Sequence, residues 1–233
     1  MNRDTPDLPV GRKLDKTDPA ARAAFVLENT RLVEVPHAPS LRLHLAHEAL
    51  ALWTKTEEEL DEIGLPPPFW AFAWAGGQAL ARYLLDNPAM VSGKRVLDFG
   101  AGSGVVAIAA AKSGASLVVA NDIDLFSGTA IALNAEANGV TVSVDLSDRL
   151  SAPREPFDVV LAGDVCYERP MSDRVVEWLS AYAREGAVVL LGDPGRSYLP
   201  RERLEKLIEY QVPVSRDLED QEIKRTSVWR LPG

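Results

Sequence analysis

Cysteine is nearly absent: Cys166 is the only one in 233 residues. That excludes an intramolecular disulfide and a cysteine-based zinc site, and it suits a reducing compartment. Histidine is almost as scarce, with only His37, His44 and His47. They lie close together, but no ligand partners accompany them at metal spacing. They read as surface or strand residues, and no metal is expected. No apolar run approaches the ~20 residues that a membrane-spanning helix needs. The opening MNRDTPDLPVGRKLDKTD carries four aspartates and no apolar stretch. It resembles neither a secretory signal nor an acid-poor transit peptide. Positive charge is also short: 25 Lys and Arg stand against 34 Asp and Glu, for a net charge of −9. Such a chain repels phosphates, so neither nucleic acid nor an anionic membrane is expected as a partner. With no apolar stripe evident, a monomer is expected. The expected compartment is the cytoplasm of a bacterium-like cell, with the mitochondrial matrix as a minor alternative.

What is present falls into three zones. Residues 1–17 read as a flexible tail, 18–92 as an N-terminal accessory region, and 93–233 as the main domain. In the accessory region Asp18-Pro19 pairs a capping residue with proline at the first helical position, which opens a helix. LVEV and LRLHLA then alternate like strands. The acidic run Glu57 to Asp61 reads as solvated. PPPFW breaks the chain, and Gln78 to Leu85 reads as a helix.

From residue 93 the chain alternates between short apolar runs and helices that stop at glycine. The strands are RVLDF, SLVVAND, VTVSVD, FDVVLAGD and AVVLLGD, and RERLEKLIEY reads as a further helix. Strand-like pieces near VPVSRDL and TSVWRL finish the chain, joined by a turn too short for a crossover. The fold class is therefore α/β: a mostly parallel Rossmann-like sheet with helices on both faces and an antiparallel last strand. Its ligand belongs at the carboxyl ends of the strands, at the topological switch point.

The strongest local feature is Val96 to Gly104, where a buried strand runs into Gly100, Gly102 and Gly104. Alternate glycines permit a tight turn and close backbone approach, and the following helix turns its positive end toward a ligand. A dinucleotide loop of the form G-x-G-x-x-G would need glycine at position 105, which is Val105. The strand also carries Asp98 just before the loop. A carboxylate there is awkward beside a diphosphate but suits the ammonium of a methionine moiety. Asp122, at the end of the next strand, is placed to accept ribose hydroxyls, and Ile123 to pack on an adenine ring.

These residues resemble the seven-β-strand S-adenosylmethionine-dependent methyltransferases. The resemblance implies S-adenosylmethionine as cofactor, S-adenosylhomocysteine as product, and a cofactor site lined by Asp98 to Gly104 and Asp122. It also implies an adenine contact from an acid after the third strand, for which Asp145 and Asp148 both qualify.

Gly163-Asp164-Val165-Cys166-Tyr167 follows the strand that abuts RVLDF across the switch point, so its end faces the transferred methyl. An amine nucleophile must shed a proton and be held in line. Asp164 could accept a hydrogen bond from it, and Tyr167 could wall the aliphatic stem and attract the cationic product. The alternatives are a helix cap for Asp164 and a core aromatic for Tyr167. Cys166, with acidic neighbours and no histidine near it in sequence, is not read as a nucleophile. The D-x-x-Y pattern resembles a subgroup that methylates protein lysines. Phe69 to Pro88, Ala120-Asn121-Asp122-Ile123-Asp124, Gly163 to Tyr167 and Gly192-Asp193-Pro194-Gly195-Arg196 fall in order. Together they resemble the lysine methyltransferases of the electron transfer flavoprotein β subunit. That family's tryptophan–proline pair is Trp74-Ala75 here. Trp74 reads as core from chemistry alone and as cofactor pocket from the resemblance. Arg196 reads either as a contact for an acidic partner or as a loop cap. The competing readings are a ribosomal-protein methyltransferase, which Asn134 and Asn138 also resemble, a catalytically silent cofactor-binding module, and a nicotinamide-dependent oxidoreductase.

Overall fold

The computed structural model describes residues 15–46, 67–214 and 222–233. Most of the expected tail, His47 and the acidic run at 57–61 lie outside these residues.

Helix α1 (Pro19–Asn29) starts where the Asp18 carboxylate caps the amide of Ala20 at 2.9 Å. It leads into an antiparallel hairpin, β1 (Arg31–Val35) and β2 (Ala38–Leu45). After a short 3-10 turn at Phe69–Ala71 comes α2 (Ala75–Asp86). The remaining elements are β3 (Arg95–Phe99), α3 (Val105–Lys112), β4 (Leu117–Asn121), α4 (Leu125–Ala137), β5 (Ser143–Asp145), β6 (Val159–Gly163), α5 (Arg169–Arg184), β7 (Val188–Asp193), β8 (Glu205–Pro213) and β9 (Ile223–Leu231).

The larger sheet has seven strands in the order β5-β4-β3-β6-β7-β9-β8. All neighbours are parallel except where β9 pairs antiparallel with β7 and β8. The expected α/β class and antiparallel last strand are both present. Side chains alternate across the sheet as period-2 geometry requires. Val96, Leu161 and Leu190 pack toward α2, α3 and the hairpin, while Leu97, Val160 and Val189 pack toward α5. From β3 the chain winds one way through β4 to β5, then returns to start β6 on the other side of β3. The switch point is therefore the gap between the carboxyl ends of β3 and β6.

One expectation is corrected. RERLEKLIEY is not a helix: Arg201–Arg203 form one 3-10 turn, and Glu205 onward is strand β8. Leu204, Leu207 and Ile208 carry a helix-like spacing, but a full-length antiparallel ladder with β9 overrides that local preference. β8 is the sheet edge, and its charged residues Glu205, Lys206 and Glu209 are exposed. Charge of this kind discourages pairing with a further strand.

Candidate active site

The loop after β3 is shaped by its glycines. Gly100, Gly102 and Gly104 all have positive φ, at 67°, 51° and 79°. L-residues rarely adopt that region, so the alternate glycines are a backbone requirement. The loop leans on the next strand, with the Ala101 amide donating to Asn121 O at 2.9 Å. α3 begins at Val105 with no side-chain cap of its own. Asp98 supplies one from β3, accepting the Ala107 amide at 2.9 Å. Asp98 is 1% exposed, and burial pushes its carboxyl up to about 8, with the Ala107 bond opposing and the nearby Asp122 charge adding. A buried carboxyl in this condition is primed for a cationic ligand group.

Asp122 follows β4 and spans two loops. One oxygen accepts the Gly102 amide at 2.9 Å and the other the Asp124 amide at 3.0 Å. Asp124 caps α4 through Phe126 at 2.9 Å, and burial pushes it up to about 6. Ile123 between them is 71% exposed, at a position open to a flat ligand. Of the two acids after β5, Asp145 is engaged by Asn121 and by Arg149 at 2.5 Å. Asp148 caps its own turn at Leu150 and Ser151. Asn134 and Asn138 tie the hairpin to this region: Asn134 accepts from His44 N at 2.6 Å and donates to Ser103 O at 2.9 Å, and Asn138 bonds to Arg42.

Across the switch point, Asp164 is the only non-glycine described residue with positive φ, at 58°. Aspartate tolerates this conformation better than most residues. The turn directs its carboxylate to the start of α2, where it accepts the Gly77 amide at 2.8 Å. Its other oxygen lies 3.4 Å from Arg196 Nη2. Gly76 and Gly77 make this approach possible. A Cβ on Gly76 would sit 2.2 Å from Gly192 O, and one on Gly163 2.9 Å from Gly77 Cα. Asp164 does not cap α5, which begins only at Arg169; its bond to Gly77 caps α2 instead. Cys166 is buried, and burial with Asp193 and Asp164 nearby pushes its thiol up to about 12, consistent with an inert side chain.

A cleft runs between the two halves. It is lined by Phe72, Trp74, Gly77, Asp98, Gly100, Ala101, Gly102, Ser103, Val105, Val106, Gly163 and Asp164. Six residues singled out from the sequence therefore meet in one place: Trp74, Asp98, Gly100, Gly102, Gly163 and Asp164. Gly104 lies in the same loop but turns toward Ile131, while Asp122, Ile123 and Tyr167 stand outside the lining. Tyr167 is half exposed, and burial raises its hydroxyl above the ordinary value. Its ring lies 6.0 Å from Phe69, which lies 6.0 Å from Trp74, so three aromatic rings are grouped together. Sequence reading missed Phe69, Phe72 and Gly77. The Gly76-Gly77 doublet at a helix start was the available signal, because paired glycines there mark a close backbone approach. The fit to S-adenosylmethionine rests on the loop's bare backbone and on Asp98, whose buried carboxyl accepts one amide and faces the cleft. Among the described residues no group of three or more His, Cys, Asp or Glu side chains is placed to hold a metal.

Strand order, glycine loop and cleft together define a Rossmann-like S-adenosylmethionine-dependent methyltransferase. The fold agrees with that of the Thermus thermophilus 16S rRNA N2 G1207 methyltransferase, at TM-score 0.55 and 19% identity over 87% of this chain and 50% of that one. The family model for ribosomal protein L11 methyltransferase matches residues 79–166. The electron transfer flavoprotein beta subunit lysine methyltransferase of Mus musculus is 39% identical over 91% of this chain and 84% of that protein. The Homo sapiens enzyme is 37% identical over 91% and 82%. The chain belongs to the electron transfer flavoprotein β-subunit lysine methyltransferase family.

Proposed function

We propose that this protein transfers methyl groups from S-adenosylmethionine to lysine side chains of the electron transfer flavoprotein β subunit. The observation that carries the reading is the convergence of Asp164, Phe69, Trp74 and Tyr167 at the β6 end of the cleft. S-adenosylmethionine supplies an electrophilic methyl on a sulfonium sulfur. Asp98, the loop from Gly100 to Gly104, and Trp74 hold its methionine end, with the ammonium against Asp98. Asp122 takes the ribose hydroxyls and Ile123 the adenine face, with Asp145 or Asp148 at the adenine edge. Gly163 lies in the cleft lining, where its missing Cβ makes room for the Gly77 backbone.

A lysine ammonium has a pKa near 10.4 in water and must lose a proton before its lone pair can attack. Asp164 is held by the Gly77 amide at one oxygen and by Arg196 at the other, and its carboxylate accepts a hydrogen bond from that amine. It thereby orients the lone pair along the line of displacement. Phe69 and Tyr167 wall the aliphatic stem, and their ring faces favour the cationic product. The exclusion of nucleic acid, a monomeric state and the bacterial cytoplasm (with the mitochondrial matrix as alternative) are parts of the same reading. The acidic net charge supports the exclusion of nucleic acid; among the described residues no helix is long and apolar enough to cross a membrane.

The test is label transfer from methyl-tritiated donor into purified electron transfer flavoprotein and, separately, ribosomal proteins. Label confined to the β subunit is expected. Label in ribosomal protein alone would replace this reading with the ribosomal one.

A further inference from the structure

A second hollow lies on the opposite face of the sheet, between α5 and the segment that follows β5. Its rim carries Arg154, Arg174 and Arg184 against one acid, Glu177, and its floor is Trp178 with Leu150. Two of the cations are neutralised by neighbours, Arg154 by Glu185 and Arg184 by Glu177 at 2.9 Å. Arg174 makes no ion pair among the described residues, although its field reaches Asp148.

The floor has an unmet need. Trp178 is 8% exposed, and its ring is fixed against Phe99 at 4.8 Å and Tyr182 at 4.9 Å. Its Nε1–H is buried with no acceptor. A buried donor without a partner is unfavourable, and an acceptor entering the hollow would relieve it. Arginine forks on a rim, an empty indole donor below and a half-apolar floor together suit a carboxylate side chain with apolar neighbours.

The position suits the substrate. α5 starts two residues after Tyr167, and Arg174 lies five residues into it, about 8 Å along the axis at 1.5 Å per residue. Arg184 is a further ~15 Å down the same helix. A folded protein presenting a lysine at Tyr167 therefore covers this length of α5 with an ordinary interface.

Building on the lysine-methyltransferase reading, we propose that the α5 groove is a docking site for an acidic segment of the protein substrate, whose carboxylate sits among Arg154, Arg174 and Arg184 above Trp178. The groove acts on substrate capture rather than on chemistry, and its arginines also speed encounter at low salt.

The test measures kinetics with the whole electron transfer flavoprotein β subunit for wild type, Arg174→Glu and Trp178→Phe. Arg174→Glu is expected to raise KM for the protein about tenfold, leave kcat and S-adenosylhomocysteine affinity unchanged, and blunt the salt dependence of kcat/KM. Trp178→Phe keeps the ring and deletes the donor. It is expected to raise KM without lowering Tm, a combination that a merely structural tryptophan would not give. If wild type methylates the subunit and both variants keep its KM and salt response, the docking site is refuted and the lysine-methyltransferase reading stands. If wild type does not methylate the subunit at all, that reading falls and the docking site with it.

Discussion

Two carboxylates on the cleft wall have different surroundings, and the roles proposed for them follow from those surroundings. Asp98 is fully enclosed, and burial lifts its carboxyl to about 8. The folded protein therefore holds a proton there that the unfolded chain has already lost. This group's contribution to stability is fully present below the ordinary value of 3.8 and is lost as pH rises toward 8. With the methionine ammonium at Asp98, as proposed, the ionised form is required and binding expels that proton. Affinity for S-adenosylhomocysteine is expected to rise with pH up to about 8, by at most about tenfold per unit. Calorimetry in buffers of different ionisation enthalpy checks this, because it also counts the released proton. Asp98→Asn should flatten the profile; an unchanged profile in that variant would remove Asp98 from the ammonium site. Asp164 is held by the Gly77 amide instead of being left in an apolar shell. Asp164→Asn preserves an acceptor for that amide and tolerates the same backbone angle. A loss of kcat by about 100-fold or more is expected, with donor affinity retained. Single-turnover methylation and S-adenosylhomocysteine titration measured together separate this from simple unfolding. Asp98, the loop glycines and Asp164 were legible because each is forced by a short motif. Phe69 was not, because Tyr167, far away in sequence, meets it only through the fold.

At the scale of elements, the site depends on how closely α2 approaches the strand ends. Gly76 and Gly192 touch backbone to backbone, and a Cβ on Gly192 would lie 2.0 Å from Gly76 O. Gly76→Ala must push the helix start away from β6 and β7. A stability loss of about 1–3 kcal/mol is expected from such overpacking, together with weakened donor binding as Gly77 leaves Asp164. Thermal melts with and without S-adenosylhomocysteine would show both effects. Gly186→Ala is the control, because a Cβ there meets nothing within 4 Å; its positive φ costs stability but should leave ligand affinity intact. The sequence carried the parallel strands and their helices because period and glycine stops agree there with the tertiary environment. It misled at Glu205–Pro213, where the local pattern favours helix and only the pairing with β9 decides for strand. Long-range pairing of that kind leaves little trace in a local window.

Across the whole molecule, acidic charge, a parallel core and one cleft at the switch point converge on small-molecule cofactor chemistry directed at a protein. The two halves of the cleft come from opposite directions of winding, β3 to β5 on one side and β6 to β7 on the other. The sheet order therefore brings the glycine loop after β3 and the turn after β6 side by side. The accessory hairpin is bound into the same assembly through Asn134 and Asn138. The most direct measurement is a crystal structure with S-adenosylhomocysteine. The account predicts its ammonium at Asp98, its ribose at Asp122 and its sulfur toward Gly163 and Asp164. A vacant cleft under saturating product, or a nicotinamide dinucleotide bound there in its place, would contradict it.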